Sequence, residues 1–132
     1  MTEEAGRAAP LAQKLGIRPG DILGLLGAPA GFERVLGNLP QGVVIRRGAR
    51  GRCAPVIWFV RTARQLEREL KKVAGKAGEA AESRLWIAWR KGGAPPGENA
   101  VRRAGLAIGL VDIKICAIDS TWSGLFFVRR RS

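Results

Sequence analysis

Arginine and tryptophan side chains follow several apolar segments of the sequence, and they are the residues best suited to bind a ligand. Arginine binds phosphate through two parallel hydrogen bonds, and the face of an indole ring can stack on a nucleic-acid base. If the apolar segments are parallel strands of one sheet, their carboxyl ends meet at the edge where such folds bind ligands. The residues assigned to this predicted basic binding edge are Arg46, Arg47, Arg61, Trp89, Arg90, Lys91, Asp119, Thr121 and Trp122.

Each part of this predicted site also has a simpler explanation. The arginine-rich stretch 46–52 could be a solvated loop, and Trp89 and Trp122 could be packing residues. Residues 119–121 make a good turn, because Asp can hydrogen-bond to the backbone two residues further on. A common site therefore requires a topology that brings these segments together.

Catalytic chemistry has less support than binding. The sequence contains no histidine, and Cys53 and Cys116 lie far apart, which excludes the usual zinc sites and a histidine-based triad. Asp119 could act as a base and the hydroxyls beside it as nucleophiles, but no activating partner is evident. Cys53 could be a reactive thiol because it follows Arg52, although both cysteines are more simply small buried hydrophobic residues. We predict no catalytic residue, no metal and no cofactor, and the pattern favours a binding protein over an enzyme.

Charge is the strongest compositional signal. The sequence has 23 Lys and Arg against 11 Asp and Glu, a net charge of +12. This balance favours nucleic acid or a nucleotide as partner, while a protein partner stays open. The alternative is that a GC-rich genome produced the abundance of Arg, Ala and Gly. No apolar run reaches the roughly 18 residues that cross a bilayer, and the first residues lack the apolar segment of a secretory signal. We therefore expect a cytoplasmic protein without a membrane partner.

The 132 residues suit one domain, 1–132, with a loose arm at 1–7 and a basic tail at 129–132. Apolar runs predict strands at 22–26, 43–45, 56–60 and 85–89, and a closing hairpin of strands 112–118 and 124–128 around the turn 119–123. Helical spacing predicts a short helix near 10–15 and others at 32–36, 63–74 and 98–108. Thr62 and Gln65 have the spacing of a capping box at the start of the third.

Uncharged strands that alternate with helices indicate an α/β fold, with a mostly parallel sheet and helices on both faces. The short last connection makes the final two strands antiparallel. This arrangement resembles a reduced Rossmann fold of the class I methyltransferase-like kind.

Particular motifs carry the same resemblance. LGIRPGD at 15–21 is similar to the entry from helix to first strand in those methyltransferases, and the passage from 104–106 to 111–114 is similar to their last helix and sixth strand. The segments LGIRPGD, LLGAPAGF, WFVRT, LWIAWRK and GLVDIKICAIDSTWSGLFFVRR resemble a bacterial family of small uncharacterised proteins, a domain of unknown function. That resemblance implies the fold and a bacterial cytosolic setting, and no activity.

The sequence also departs from the methyltransferase pattern. Those enzymes have a glycine-rich turn after strand one and an acid at the end of strand two that binds the ribose. Here the turn at 26–32 has two glycines and a proline, Arg46 and Arg47 replace the acid, and a strand–helix unit is missing between 45 and 56. We therefore expect a non-catalytic module that binds a phosphate-bearing ligand, nucleic acid or nucleotide, at the basic edge. The alternatives are a degenerate or altered S-adenosylmethionine-dependent methyltransferase-like enzyme and a regulatory module that docks a protein.

Overall fold

A computed structural model describes residues 10–48, 51–77 and 83–130. The predicted arm at 1–7 lies outside these ranges. The elements in chain order are α1 (Leu11–Lys14), β1 (Ile22–Leu26), α2 (Phe32–Leu36), β2 (Val44–Arg47), β3 (Val56–Phe59), α3 (Ala63–Lys76), β4 (Leu85–Arg90), α4 (Gly97–Ala107), β5 (Leu110–Ala117) and β6 (Trp122–Arg129).

All six strands form one sheet in the order β2-β1-β3-β4-β6-β5. The first four strands pair in parallel, and β6 lies antiparallel between β4 and β5. The chain returns through helices between most parallel strands, as parallel pairing requires. The predicted fold class, a mostly parallel sheet that ends in an antiparallel hairpin, is confirmed.

Helices cover both faces of the sheet, and a separate apolar cluster fills each side. On one side, Leu66, Leu70 and Val73 of α3 and Val101 of α4 pack with Trp58. On the other side, α1 and α2 pack against alternate strand residues, including Phe59 and Trp86. Because both faces are covered, β3 and the first five residues of β4 are buried throughout, which explains their uninterrupted apolar sequences.

The predicted Thr62 cap at the start of α3 forms, and the return hydrogen bond of Gln65 is made to Arg61, the residue before the cap. The Gln65 N–H donates to Thr62 Oγ1 at 3.0 Å, and Gln65 Oε1 accepts from the Arg61 N–H at 2.8 Å. The helix continues two residues beyond the predicted end, to Lys76.

Two of the boundaries that differ from the prediction affect residues of the predicted site. Arg46 and Arg47 belong to β2 and not to the loop that follows, because the ladder with β1 pairs them with Gly24 and Leu25. Trp122 opens β6 and is not part of the turn, because it pairs with Arg90. The connection from β2 to β3 contains no helix among its described residues, 48 and 51–55, as expected from the missing strand–helix unit.

The last described residues also belong to the sheet. Arg129 closes β6, and the Arg130 N–H donates to the Gly109 carbonyl at 2.8 Å. Residues 131 and 132 of the predicted basic tail lie outside the described ranges. No helix in the described parts of the chain is both long enough and apolar enough to cross a membrane.

An ion pair lies at the amino-terminal ends of the strands. Arg84 precedes β4 and is 7% exposed, and its two terminal nitrogens donate to the Asp21 carboxylate, one of them at 3.1 Å. Asp21 also accepts the Arg18 N–H at 2.7 Å, which closes the turn before β1. This pair anchors the entry to β1 against the start of β4.

Candidate ligand-binding site at the carboxyl ends of the strands

Two arginines flank one indole at the carboxyl ends of the central strands. The Cζ atoms of Arg61 and Arg90 lie 5.2 and 5.6 Å from the centroid of the Trp122 ring. Trp122 is only 3% exposed and meets Phe59 edge to face at 5.0 Å. We call these three residues, Arg61, Arg90 and Trp122, the Trp122 cluster. Its sequence signal was the position of each residue after or at the end of a strand.

The backbone at Gly27 holds Arg61 in place. Arg61 Nη1 donates to the Gly27 carbonyl at 2.7 Å. Gly27 has φ of +69°, and a Cβ there would lie 3.0 Å from the Phe59 carbonyl and 3.1 Å from Arg61 Nη1. Glycine is therefore required both for the backbone conformation and for the close approach of the guanidinium.

In the described ranges, no ion pair involves Arg61 or Arg90. Arg61 donates to the backbone carbonyls of Gly27 and Phe59 through Nη1 alone. Its Nε and Nη2 groups take no part in these two hydrogen bonds. Two positive charges are thus held around one ring, an arrangement that an anion would stabilise.

Arg47 is occupied by the turn that follows β1. Its Nε and Nη2 donate to the two carboxylate oxygens of Glu33 at 2.8 and 2.9 Å, and it also donates to the Ala28 and Pro29 carbonyls at 3.2 and 3.0 Å. The hydrogen bonds from Arg47 lower the pKa of Glu33 to about 2. Arg47 therefore closes the turn, while its predicted role in ligand binding stays a prediction. Arg46 is exposed on β2 and points to the opposite face of the strand.

The hairpin turn is organised by Asp119. Its Oδ1 accepts the N–H groups of Thr121 and Trp122 at 2.8 and 2.9 Å, so the simpler explanation as a turn applies to Asp119. The Lys91 N–H donates to the Thr121 carbonyl at 2.8 Å, which ties the end of β4 to the turn. Lys91 and Thr121 are exposed beside the Trp122 cluster.

Trp89 lies apart from the other predicted residues. It is 6% exposed and belongs to the apolar cluster under α3 and α4, whereas Trp122 belongs to the cluster on the other face. The two indoles therefore do not form one stacking surface. Of the nine predicted residues, the structure brings Arg61, Arg90 and Trp122 together, and hydrogen bonds of the turn join Lys91, Asp119 and Thr121 to them.

A cavity that the sequence reasoning missed opens at the same edge. It has a volume of about 290 Å³ and lies between the ends of β1 and β2 and the flank of α3. We call it the β1–α3 cavity. Its lining residues are Leu26, Gly27, Gly48, Trp58, Gln65, Glu69, Lys72, Val73 and Lys76. The polar residues on α3 recur every three or four positions, a helical spacing that could have identified them.

A larger cavity, of about 490 Å³, lies at the opposite edge of the sheet between α1 and β6. Arg18, Arg84 and Lys114 contribute to its mostly apolar lining. Arg84 there is already neutralised by Asp21, and ligands of open α/β sheets bind at the carboxyl ends of the strands. The β1–α3 cavity is therefore the better candidate. Within the described residues, no three His, Cys, Asp or Glu side chains are grouped as a metal site would require.

Several solved structures share the architecture of this chain. A protein of the NADB-Rossmann superfamily from Streptococcus agalactiae matches with a TM-score of 0.57 and 11% identity, over 96% of this chain and 70% of that one. Magnesium protoporphyrin IX methyltransferase from Synechocystis with bound S-adenosylmethionine matches with a TM-score of 0.57 and 15% identity, over 90% and 74%. A Streptococcus pneumoniae tRNA (m1A22) methyltransferase homologue in complex with S-adenosyl-L-methionine matches with a TM-score of 0.53 and 13% identity, over 92% and 71%.

Sequence comparisons add no family to this result. No protein-family model matches the chain, and no curated protein matches it in sequence. The predicted resemblance to a bacterial family of small proteins stays a prediction. At these identities the solved structures establish the fold alone. The chain has a methyltransferase-like Rossmann fold.

Proposed function

We propose that the protein is a methyltransferase-like protein that binds a nucleoside-containing ligand in the β1–α3 cavity. The observation that carries this proposal is the position of the cavity at the carboxyl ends of β1 and β2, the usual ligand-binding edge of such sheets. Leu26, Trp58 and Val73 supply apolar lining suited to a base. Its volume, about 290 Å³, is close to the lower end of the range for small-molecule sites.

Glu69 supplies the hydrogen-bond acceptor that a ribose requires. It is the acidic residue of the cavity lining, and an ionised carboxylate accepts hydrogen bonds from hydroxyl groups. At the end of β2, where the methyltransferase pattern has an acid, Arg47 instead pairs with Glu33. The ribose contact in this protein would therefore come from α3.

The residues around Gly27 fit only part of S-adenosylmethionine. The cavity and Glu69 suit its nucleoside half. The Arg61 guanidinium, whose Nη1 lies 2.7 Å from the Gly27 carbonyl at the edge of the cavity, would repel the positively charged sulfonium and attract an anionic group such as a phosphate or a carboxylate. Because the guanidinium disfavours the sulfonium, the proposed function is ligand binding without methyl transfer.

The second candidate function is phosphate binding at the Trp122 cluster, without catalysis. It is favoured by the pair of guanidiniums around the indole, neither of which is paired with an acid in the described residues. Lys91 is exposed nearby and adds a third cation. Gly27 joins the two candidate sites, since it lines the cavity and accepts a hydrogen bond from Arg61. A nucleotide could therefore use both sites, with its base and ribose in the cavity and its phosphate at the cluster.

Isothermal titration calorimetry tests both candidates with adenosine, AMP, S-adenosylmethionine and S-adenosylhomocysteine. We expect AMP to bind more tightly than adenosine, and adenosine to bind measurably. Glu69→Gln should weaken every ligand that carries a ribose by about tenfold, the value of a charge-assisted hydrogen bond of roughly 1.5 kcal/mol. Glu67→Gln, an exposed site on the same helix outside the cavity lining, is the matched control.

The variants at the Trp122 cluster separate the two candidates. Arg61→Ala or Arg90→Ala should weaken AMP and leave adenosine unchanged. If S-adenosylmethionine binds more tightly than AMP and Arg61→Ala does not alter this order, the methyltransferase-like alternative holds without the phosphate site. If none of the four ligands binds at millimolar concentration, the nucleoside proposal is wrong. Docking of a protein partner stays a prediction from the sequence.

A further inference from the structure

A stripe of cations runs along the exposed face of α3. Arg64, Arg68, Lys71 and Lys72 are exposed, and their spacing places them on one side of the helix. The opposite side is buried against the sheet. We call these four residues the α3 stripe. None of the four is among the nine binding residues predicted from the sequence.

The acids of α3 do not neutralise this stripe. At 100° per residue, Glu67 and Glu69 fall on the two flanks of the exposed face, and Glu69 lines the β1–α3 cavity. Across the described stretches of the chain, the ion pairs involve Arg47, Arg84 and Arg102, and none involves the stripe. The α3 stripe therefore presents four cations along one side of the helix, with the acids to either side of it.

The stripe continues into the candidate ligand-binding edge. A shallow groove of about 610 Å³ runs over α3 and is lined by Thr62, Arg64, Gln65, Arg68, Glu69 and Lys72. Three of these residues, Gln65, Glu69 and Lys72, also line the β1–α3 cavity. At its amino-terminal end the helix begins beside Arg61. From Ala63 to Lys72 the helix rises about 14 Å at 1.5 Å per residue, farther than a single phosphate group reaches.

We propose that a nucleic-acid strand lies along α3, with successive phosphates against the α3 stripe. Repeated cations in an open groove match a repeated anion, and each phosphate neutralised by Lys or Arg releases condensed counterions. A membrane surface fits less well, because interfacial helices bury an exposed apolar face in lipid, whereas the apolar face of α3 packs against the sheet. This inference does not depend on the nucleoside proposal, since the stripe lies outside the cavity apart from Lys72.

Fluorescence anisotropy with a labelled single-stranded RNA or DNA of roughly 16 nucleotides, the upper site size of single-strand binding folds, tests the proposal. The triple variant Arg64→Ala, Arg68→Ala, Lys72→Ala should bind at least tenfold more weakly at low salt. Its slope of log K against log salt should be shallower by about 2, at roughly 0.7 for each lost phosphate contact. The matched control is the triple variant Arg18→Ala, Arg34→Ala, Arg103→Ala, which removes the same charge from exposed sites elsewhere.

The outcomes separate specific from general charge effects. Weaker binding in the α3 variant alone, with an unchanged melting temperature, supports the proposal. Equal weakening in both triple variants shows that only net charge acts, and overturns it. It is also overturned if the wild type binds no nucleic acid at low salt, or binds anionic phospholipid vesicles or polyglutamate more tightly. AMP binding is measured in a separate experiment. Whether AMP binds therefore does not affect the test of nucleic-acid binding.

Discussion

Asp21→Asn removes the charge that neutralises Arg84 at the amino-terminal ends of the strands. Arg84 is 7% exposed, and both of its terminal nitrogens donate to Asp21. Burial lowers the pKa of Arg84, and the Asp21 carboxylate opposes that shift. An asparagine oxygen can still accept the Arg18 N–H, so the turn before β1 keeps its hydrogen bond while the ion pair is lost.

The expected cost follows from the burial of the pair. The side chains of Arg84 and Asp21 are 9% and 12% exposed, and removing one member of a buried ion pair costs about 3–5 kcal/mol. Asparagine retains one acceptor for the guanidinium, which places the expected loss near 3 kcal/mol. For a chain of this size, that loss corresponds to a decrease of roughly 10 °C in the melting temperature.

Urea unfolding followed by tryptophan fluorescence measures this loss directly. Asp112→Asn is the matched control, because its partner Arg102 is more exposed and keeps a second ion pair with Glu98. The control should cost about 1 kcal/mol or less. A loss below 1 kcal/mol for Asp21→Asn, or an equal loss in the control, would refute the reasoning. The double variant Asp21→Asn, Arg84→Met should recover stability, because no uncompensated charge stays buried.

Three further predictions concern other contacts. The pKa of the Glu33 carboxyl, measured by NMR, should be about 2 and should move toward 4.5 in Arg47→Ala. Because the folded-state pKa is depressed, the stabilising contribution of Glu33 should be present above pH 4.5 and vanish as the pH falls to 2. An unchanged Glu33 titration in the variant would contradict the contact. Gly105→Ala should lower the melting temperature despite better helix propensity, because its Cβ would lie 2.4 Å from the buried ring of Phe127, an overpacking of about 1–3 kcal/mol; a stabilised variant would contradict this. Thr62→Ala should cost about 1 kcal/mol in urea unfolding through loss of the α3 cap, and no change would show that the cap does not contribute.

The sheet and its hairpin could be predicted because their sequence signals are local. The uncharged runs of β3 and β4 reflect cover on both faces, and a short turn forces antiparallel pairing whatever surrounds it. The α3 cap was predicted for the same reason, since Thr62 and Gln65 are three residues apart and contact each other.

The candidate site was harder to predict because its contacts join distant residues. Arg47 reaches Glu33 across fourteen positions, and no local pattern shows that its donors are occupied. Trp89 lies in a strand that is buried on both faces. The apolar pattern alone therefore could not show which face of the sheet its side chain occupies. Glu69 lines a cavity only because α3 lies beside the ends of β1 and β2. These assignments require the packed fold.

The absence of a strand–helix unit after β2 leaves that strand at the border of the sheet. β2 has only four residues and is largely exposed, with Val44 51% accessible. A border strand offers unpaired backbone groups to which a second copy of the chain can add, and short length and charged side chains oppose that addition. Two of the four residues of β2 are Arg46 and Arg47. These arginines therefore oppose the addition of a second copy's strand at this border of the sheet, whatever ligand the protein binds.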